Sequence, residues 1–151
     1  MHRRELLARS ASVAGLLAGL GALPGAAHAA WNTAAFEAKS VAEVVKALGV
    51  SAPVESKDVS LTGPEIAENG AVVPLALATS LPGVKRLLVL IEKNPSTLAA
   101  SFDISDAIEP SFSLRVKMAQ TCNVYAVAIT ADNKVLFAQK EIKVTLGGCG
   151  G

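Results

Sequence analysis

Ser111-Phe112-Ser113-Leu114-Arg115-Val116-Lys117-Met118 alternates strictly between polar and apolar side chains. Successive residues of an extended chain point to opposite faces, so Phe112, Leu114, Val116 and Met118 share one face and Ser113, Arg115 and Lys117 the other. The pattern predicts a half-buried β-strand, and its period of two sets the reading of the rest of the chain.

The same alternation recurs on both sides. Upstream, Ala100, Phe102 and Ile104 alternate with Ser101, Asp103 and Ser105, after an Asn94-Pro95-Ser96 loop. Further back, Lys57 to Thr62 reads as a short strand ended by Gly63-Pro64. Ala71 to Thr79 alternates through Val73, Leu75 and Leu77. Pro74 lacks an amide hydrogen, which predicts an edge strand or a bulge there. Pro82-Gly83 makes a turn, and Leu87-Leu88-Val89-Leu90-Ile91 follows, apolar on both faces. A strand of that kind is covered on both sides, by the rest of its own domain or by a second subunit; cover within the chain is the favoured reading. Downstream, Cys122 to Thr130 and Val135 to Leu146 form two more strands. They flank Ala131-Asp132-Asn133-Lys134, whose Asp and Asn suit a hairpin turn. Six or seven short strands with turns at regular spacing predict a mainly β fold, an antiparallel immunoglobulin-like β-sandwich over residues 51–146.

Residues 30–50 are different. Asn32 or Thr33 caps a short helical turn through Phe36. Ser40-Val41-Ala42-Glu43 then reads as a capping box, in which the Ser side chain satisfies one orphan amide and the Glu reaches back to another. Val41, Val44, Val45 and Leu48 fall on one helical face, and Gly49 stops the helix. An N-terminal amphipathic helix is expected, packed on the core.

Residues 1–29 read as a cleaved export signal. Arg3-Arg4-Glu5 opens a charged region, Ala11 to Leu23 is apolar, and Ala27-His28-Ala29 is a small-x-small cleavage site. The apolar run is too short to span a bilayer. The adjacent Arg3 and Arg4 suit a twin-arginine signal, which sends already folded proteins to the periplasm. Loss of Arg3, Arg4, Arg9 and Glu5 with the leader takes the 14 basic and 13 acidic side chains to 11 and 12, a net charge of −1. That balance offers no footprint for nucleic acid or an anionic membrane. Both histidines, His2 and His28, also leave with the leader. The mature chain therefore has no His for acid–base catalysis, for a Ser-His or Cys-His nucleophile, or for holding a metal.

Chemistry concentrates at the C-terminus. Lys143-Val144-Thr145-Leu146 runs into Gly147-Gly148-Cys149-Gly150-Gly151. Four glycines give this arm wide backbone freedom, and extended chain carries Cys149 roughly 10 Å beyond Leu146. The second cysteine, Cys122, lies at the start of a strand that alternates into Val124 and Ala126. In an oxidising compartment the two are candidates for a disulfide. Their positions favour the other reading, with Cys149 a working thiol and Cys122 a packing residue. With an ordinary pKa near 8.5, about 3% of an exposed thiol is ionised at pH 7, and no cation on the arm raises that share. Activation then has to come from whatever enzymes receive the arm, which marks a carrier and not an enzyme. Asp103, Asp106 and Glu109 do not match a calcium loop, and Met118 with Cys122 fits packing better than a soft metal. No metal or other cofactor is expected. A terminal Gly-Gly also ends ubiquitin-like sulfur carriers, but a β-sandwich is the wrong fold for them.

The sequence from Lys143 to Gly151, at the extreme end of an exported chain, resembles the SoxY family, carrier subunits of the bacterial Sox thiosulfate-oxidation system. The resemblance implies an immunoglobulin-like sandwich and a SoxZ partner that lacks a signal and is exported in the folded complex. It implies that Cys149 is the attachment site, with Gly147, Gly148, Gly150 and Gly151 as its flexible arm. The haem protein SoxAX would join thiosulfate to Cys149, SoxB would hydrolyse off sulfate, and other partners would process the sulfane sulfur. The expected function is a periplasmic sulfur carrier. The alternative is a disulfide-stapled sandwich used for binding or structure, without covalent cargo.

Overall fold

The computed structural model describes residues 32–148. Two short helices, α1 (Thr33–Glu37) and α2 (Val41–Leu48), precede nine strands. These are β1 (Val54–Glu55), β2 (Val59–Thr62), β3 (Ile66–Ala67), β4 (Val73–Thr79), β5 (Val84–Ile91), β6 (Leu98–Asp103), β7 (Ser111–Val116), β8 (Cys122–Thr130) and β9 (Val135–Val144). The larger sheet runs β1-β9-β8-β5-β6, with β3 also on β9; the smaller runs β2-β4-β7.

Helix ends follow local side-chain chemistry. Asn32 Oδ1 accepts from Ala35 N at the start of α1. Ser40 Oγ accepts from Glu43 N at the start of α2, as the capping-box spacing predicts. The Glu43 carboxylate reaches one residue further back than expected, to Lys39 N at 2.7 Å. Gly49 ends α2 with φ 64°, a left-handed conformation in which a missing Cβ removes the steric penalty. Asn133, at φ 61°, turns the β8–β9 hairpin.

β5 explains how one strand can be apolar on both faces. Leu87, Val89 and Ile91 enter the core between the sheets with Leu75 and Leu77 of β4, Val116 of β7, and Val124 and Ala126 of β8. Leu88 and Leu90 point the other way, into a second core with Ala35, Ala38 and Val44 of the helical segment and with Val127 and Ile129. The cover comes from within the chain.

Two expectations need correction. The pairing is not wholly antiparallel, because β1 and β3 join β9 in parallel. Each is a two-residue contact made where the chain passes the outer edge of β9 on its way to the smaller sheet, and together they occupy backbone groups that an open edge would expose. Pro74 lies in the middle strand of the smaller sheet and not in an edge strand. The pairing of β4 with β2 stops at Thr62↔Ala76, so Pro74 has a strand neighbour, Arg115 of β7, on one side only. The edge that proline requires is local.

Candidate functional site

The last described residues do not leave β9 freely. On one side the backbone from Glu65 to Gly70 runs along them. Lys143 N donates to Glu65 O at 3.0 Å, Thr145 N to Ala67 O at 3.1 Å, and Gly70 N to Leu146 O at 2.7 Å. Thr145 Oγ1 adds a bond to Glu68 O at 2.8 Å. On the other side Thr121 Oγ1 accepts from Val144 N at 2.9 Å. Gly148 N then donates to Met118 O at 2.8 Å, and Met118 N donates to Gly70 O at 2.7 Å. Three backbones thus meet at Gly70, Met118 and Gly148.

Glycine is needed here for closeness. A Cβ on Gly148 would overlap the Gly70 and Ala71 backbone, and one on Gly147 would overlap Ala119 O. A Cβ on Gly70 would overlap Met118 O and stand 2.8 Å from Gly148 N and 2.9 Å from Leu146 O, closer than real Cβ contacts come. The sequence expectation places Gly147 and Gly148 in the flexible arm; in the structure both lie against the domain. Gly147 and Gly148 are seated in the domain because they have no side chain to exclude them. Cys149, Gly150 and Gly151 lie outside the described residues, as do Arg3 and Arg4 of the leader. Covalent geometry alone puts the Cys149 Cα about 3.8 Å from that of Gly148.

Gly70 was missed in the sequence. Asn69-Gly70 is a turn signal, and Asn69 Oδ1 does accept from Ala71 N at 2.9 Å, but no local pattern says that this turn packs on the end of the chain.

Cys122 is a free, buried thiol at the start of β8, in the core between the sheets. Desolvation pushes its pKa up and outweighs the backbone hydrogen bond from Lys93, which lowers it; the Glu92 carboxylate adds a smaller rise. Above it is an open groove of about 440 Å³ lined by Glu92, Lys93, Thr121, Asn123 and Glu141 among others. Cys122 stands opposite Ile142, whereas Gly148 sits by Met118, so the terminal segment runs away from Cys122 as it leaves β9. Native Cys122 should alkylate far more slowly than in urea, read by peptide mapping; equal rates would mean the thiol is not buried. Because its folded pKa is raised, its contribution to stability is complete below the unfolded value near 8.5 and is lost as pH rises through the folded value. The Cys122→Ala protein should therefore show a shallower decline in denaturation midpoint above about pH 8.5.

The remaining candidates are structural. Met118 is fully buried in the same core as Cys122. Asp103 pairs with Arg86 at 2.7 Å, and Asp106 approaches Lys85 at 3.9 Å. Among the described residues, no three His, Cys, Asp or Glu side chains converge to hold a metal ion. No helix among them is long and apolar enough to cross a membrane.

The site is thus part of a mainly β, two-sheet domain whose C-terminal strand runs into a seated glycine pair, with one cysteine next in sequence. A family model described as "Sulfur oxidation protein SoxY" matches residues 44–149, ending on Cys149. The chain belongs to the SoxY family. Membership implies a SoxZ partner in the Sox system. Among solved structures, it is similar to the sulfur carrier protein SoxY from Chlorobium limicola f thiosulfatophilum, with 38% identity, 68% of this chain and 93% of that one covered, and a TM-score of 0.61. A superoxide reductase (neelaredoxin) variant from Ignicoccus hospitalis aligns at 16% identity over 57% of this chain and 78% of that one, with a TM-score of 0.50; that likeness is one of fold alone. No curated protein sequence matched the chain.

Proposed function

We propose that this protein is a periplasmic sulfur carrier that holds thiosulfate-derived intermediates covalently on Cys149 and presents them to the Sox enzymes as a complex with a SoxZ-like subunit. The observation that carries the reading is the family match, which extends through the glycine-flanked Cys149. The Chlorobium relative is described as a sulfur carrier protein. An immunoglobulin-like sandwich suits the role as a rigid base for the chain end. Arg3 and Arg4 give the route, folded export with the partner already bound.

The chemistry needs little from the carrier. The Cys149 thiol and thiosulfate lose two electrons to the haem enzyme SoxAX, a sulfur–sulfur bond forms, and one proton leaves. The product is a cysteine S-thiosulfonate. Water, directed by SoxB, then attacks the sulfonate sulfur, releasing sulfate and a proton and leaving a cysteine persulfide. Other enzymes remove or oxidise that sulfane sulfur. The sulfur–sulfur bond keeps each intermediate attached between sites, and the glycines leave mainly backbone for those sites to grip.

Intact-mass measurement of the mature protein after exposure to thiosulfate and its SoxAX tests this. A gain of one thiosulfate unit is expected, on the peptide that contains Cys149. An unchanged mass, or an adduct on Cys122 alone, would sink the proposal.

A further inference from the structure

We infer that Gly70 is a positioning residue for the carrier arm, closing a backbone clamp that fixes where Cys149 leaves the domain. The inference rests on the reading of Cys149 as the sulfur attachment site. Gly70 uses both of its backbone groups in the clamp: its N–H donates to Leu146 O at 2.7 Å, and its carbonyl accepts from Met118 N at 2.7 Å. Met118 O in turn accepts from Gly148 N at 2.8 Å, so the chain end is tied at Leu146 and again at Gly148. Both ties pass through Gly70 or through the residue that Gly70 holds. The position tolerates no side chain, because a Cβ would overlap Met118 O and crowd both Gly148 N and Leu146 O. Gly70 is also buried, so its backbone bonds are shielded from competing water.

The clamp sets the reach of the thiol. With Gly148 seated, Cys149 hangs about one residue, roughly 4 Å, from a fixed point. With the clamp open, the last backbone tie is Thr145 N on Ala67 O, and four residues of free chain carry Cys149 out to roughly 14 Å. The volume that the thiol samples grows roughly as the cube of that reach, by more than tenfold, and its effective concentration at a docked active site falls correspondingly. Chemistry within the receiving enzyme is unaltered once the thiol has entered. The clamp therefore acts on productive encounter, and its loss is read in KM and not in kcat.

The test uses the complete mature protein with its partner subunit and the haem enzyme that loads thiosulfate, with carrier concentration varied. Gly70→Ala is expected to raise KM for the carrier about tenfold at unchanged kcat, and to abolish the hydrogen-exchange protection of the Gly148 amide. Gly148→Ala drives a Cβ into the same contact from the other side and should give the same pair of effects, which keeps the test open if Gly70→Ala fails to fold. Gly83→Ala is the control, because the added Cβ meets no atom within 4 Å. The φ of 70° at Gly83 makes the substitution locally strained, but that strain lies at a turn outside the clamp and should leave KM unchanged. Equal KM values for the parent and for Gly70→Ala or Gly148→Ala, or an unprotected Gly148 amide in the parent, would overturn the positioning role while leaving the carrier reading intact. Failure of the parent itself to load would overturn both.

Discussion

A Cys149→Ser protein should take up no sulfur and should melt where the parent does. Serine keeps the size and polarity of the position but cannot form a sulfur–sulfur bond, so the loss of loading is complete and does not depend on how the domain responds. Stability should hold because the core is built elsewhere. Its two clusters draw on residues from Ala35 to Ile142, and the last described hydrogen bonds to the chain end stop at Gly148. A terminal residue beyond them contributes little to folding. The same measurement decides against or for the stapled alternative. A Cys122–Cys149 bridge would close a loop of nearly thirty residues, worth about 3–4 kcal/mol on the chain-entropy estimate. Under non-reducing conditions its removal should lower the melting temperature of a domain this size by more than about 10 °C. Loading lost with melting unchanged supports the carrier; a large fall in melting temperature supports the staple.

What the sequence disclosed depended on how local each signal was. Alternation at Phe112, Leu114 and Val116 needs no partner to be read, and it gave β7; the Leu87–Ile91 run likewise disclosed a strand buried on both faces. The identity of the cover was less accessible, because Val44 meets the same core as Leu88 and Leu90 only after the chain has folded back. Parallel additions to β9 were invisible, since two-residue strands such as Ile66–Ala67 are set by where the chain passes and not by any periodicity. Pro74 obeyed its chemical rule through a feature of the tertiary structure, the early end of β2. At the chain end, glycine was ambiguous in principle. Conformational freedom and close approach both select for a missing Cβ, and composition alone favoured freedom at Gly147 and Gly148. The close approach that also requires a missing Cβ at Gly148 comes from Gly70, far away in sequence. Cys149 stands out in the sequence by residue type and position, whereas Cys122 was readable as packing from the alternation of its strand.

Leu90→Ala should cost about 2–5 kcal/mol of folding stability, without touching the chemistry of the chain end. Leu90 is fully buried on β5, which is paired with β6 on one side and β8 on the other. Its side chain enters the core under the helices, with Ala35, Val44, Leu88, Leu98 and Val127. Truncation removes buried apolar surface and leaves a cavity. Neither the paired strands nor small neighbours such as Ala35 and Ala38 can fill it, and only a settling of the short helices would lessen the cost, which places the effect within that range and not above it. Against a total of about 5–15 kcal/mol for a domain, this is a large fraction. The melting temperature should fall by about 8–20 °C. Leu146→Ala is the comparison, since Leu146 is 64% exposed and its loss should stay within about 0.5 kcal/mol. A Leu90→Ala loss below about 1 kcal/mol would mean that α1 and α2 do not seal this face in solution, because a leucine exposed beneath loosened helices has little burial to lose. Below its melting temperature the variant should still load sulfur at the parental rate, since the core under the helices and the clamp at Gly70 draw on different residues, and sites without shared partners respond independently.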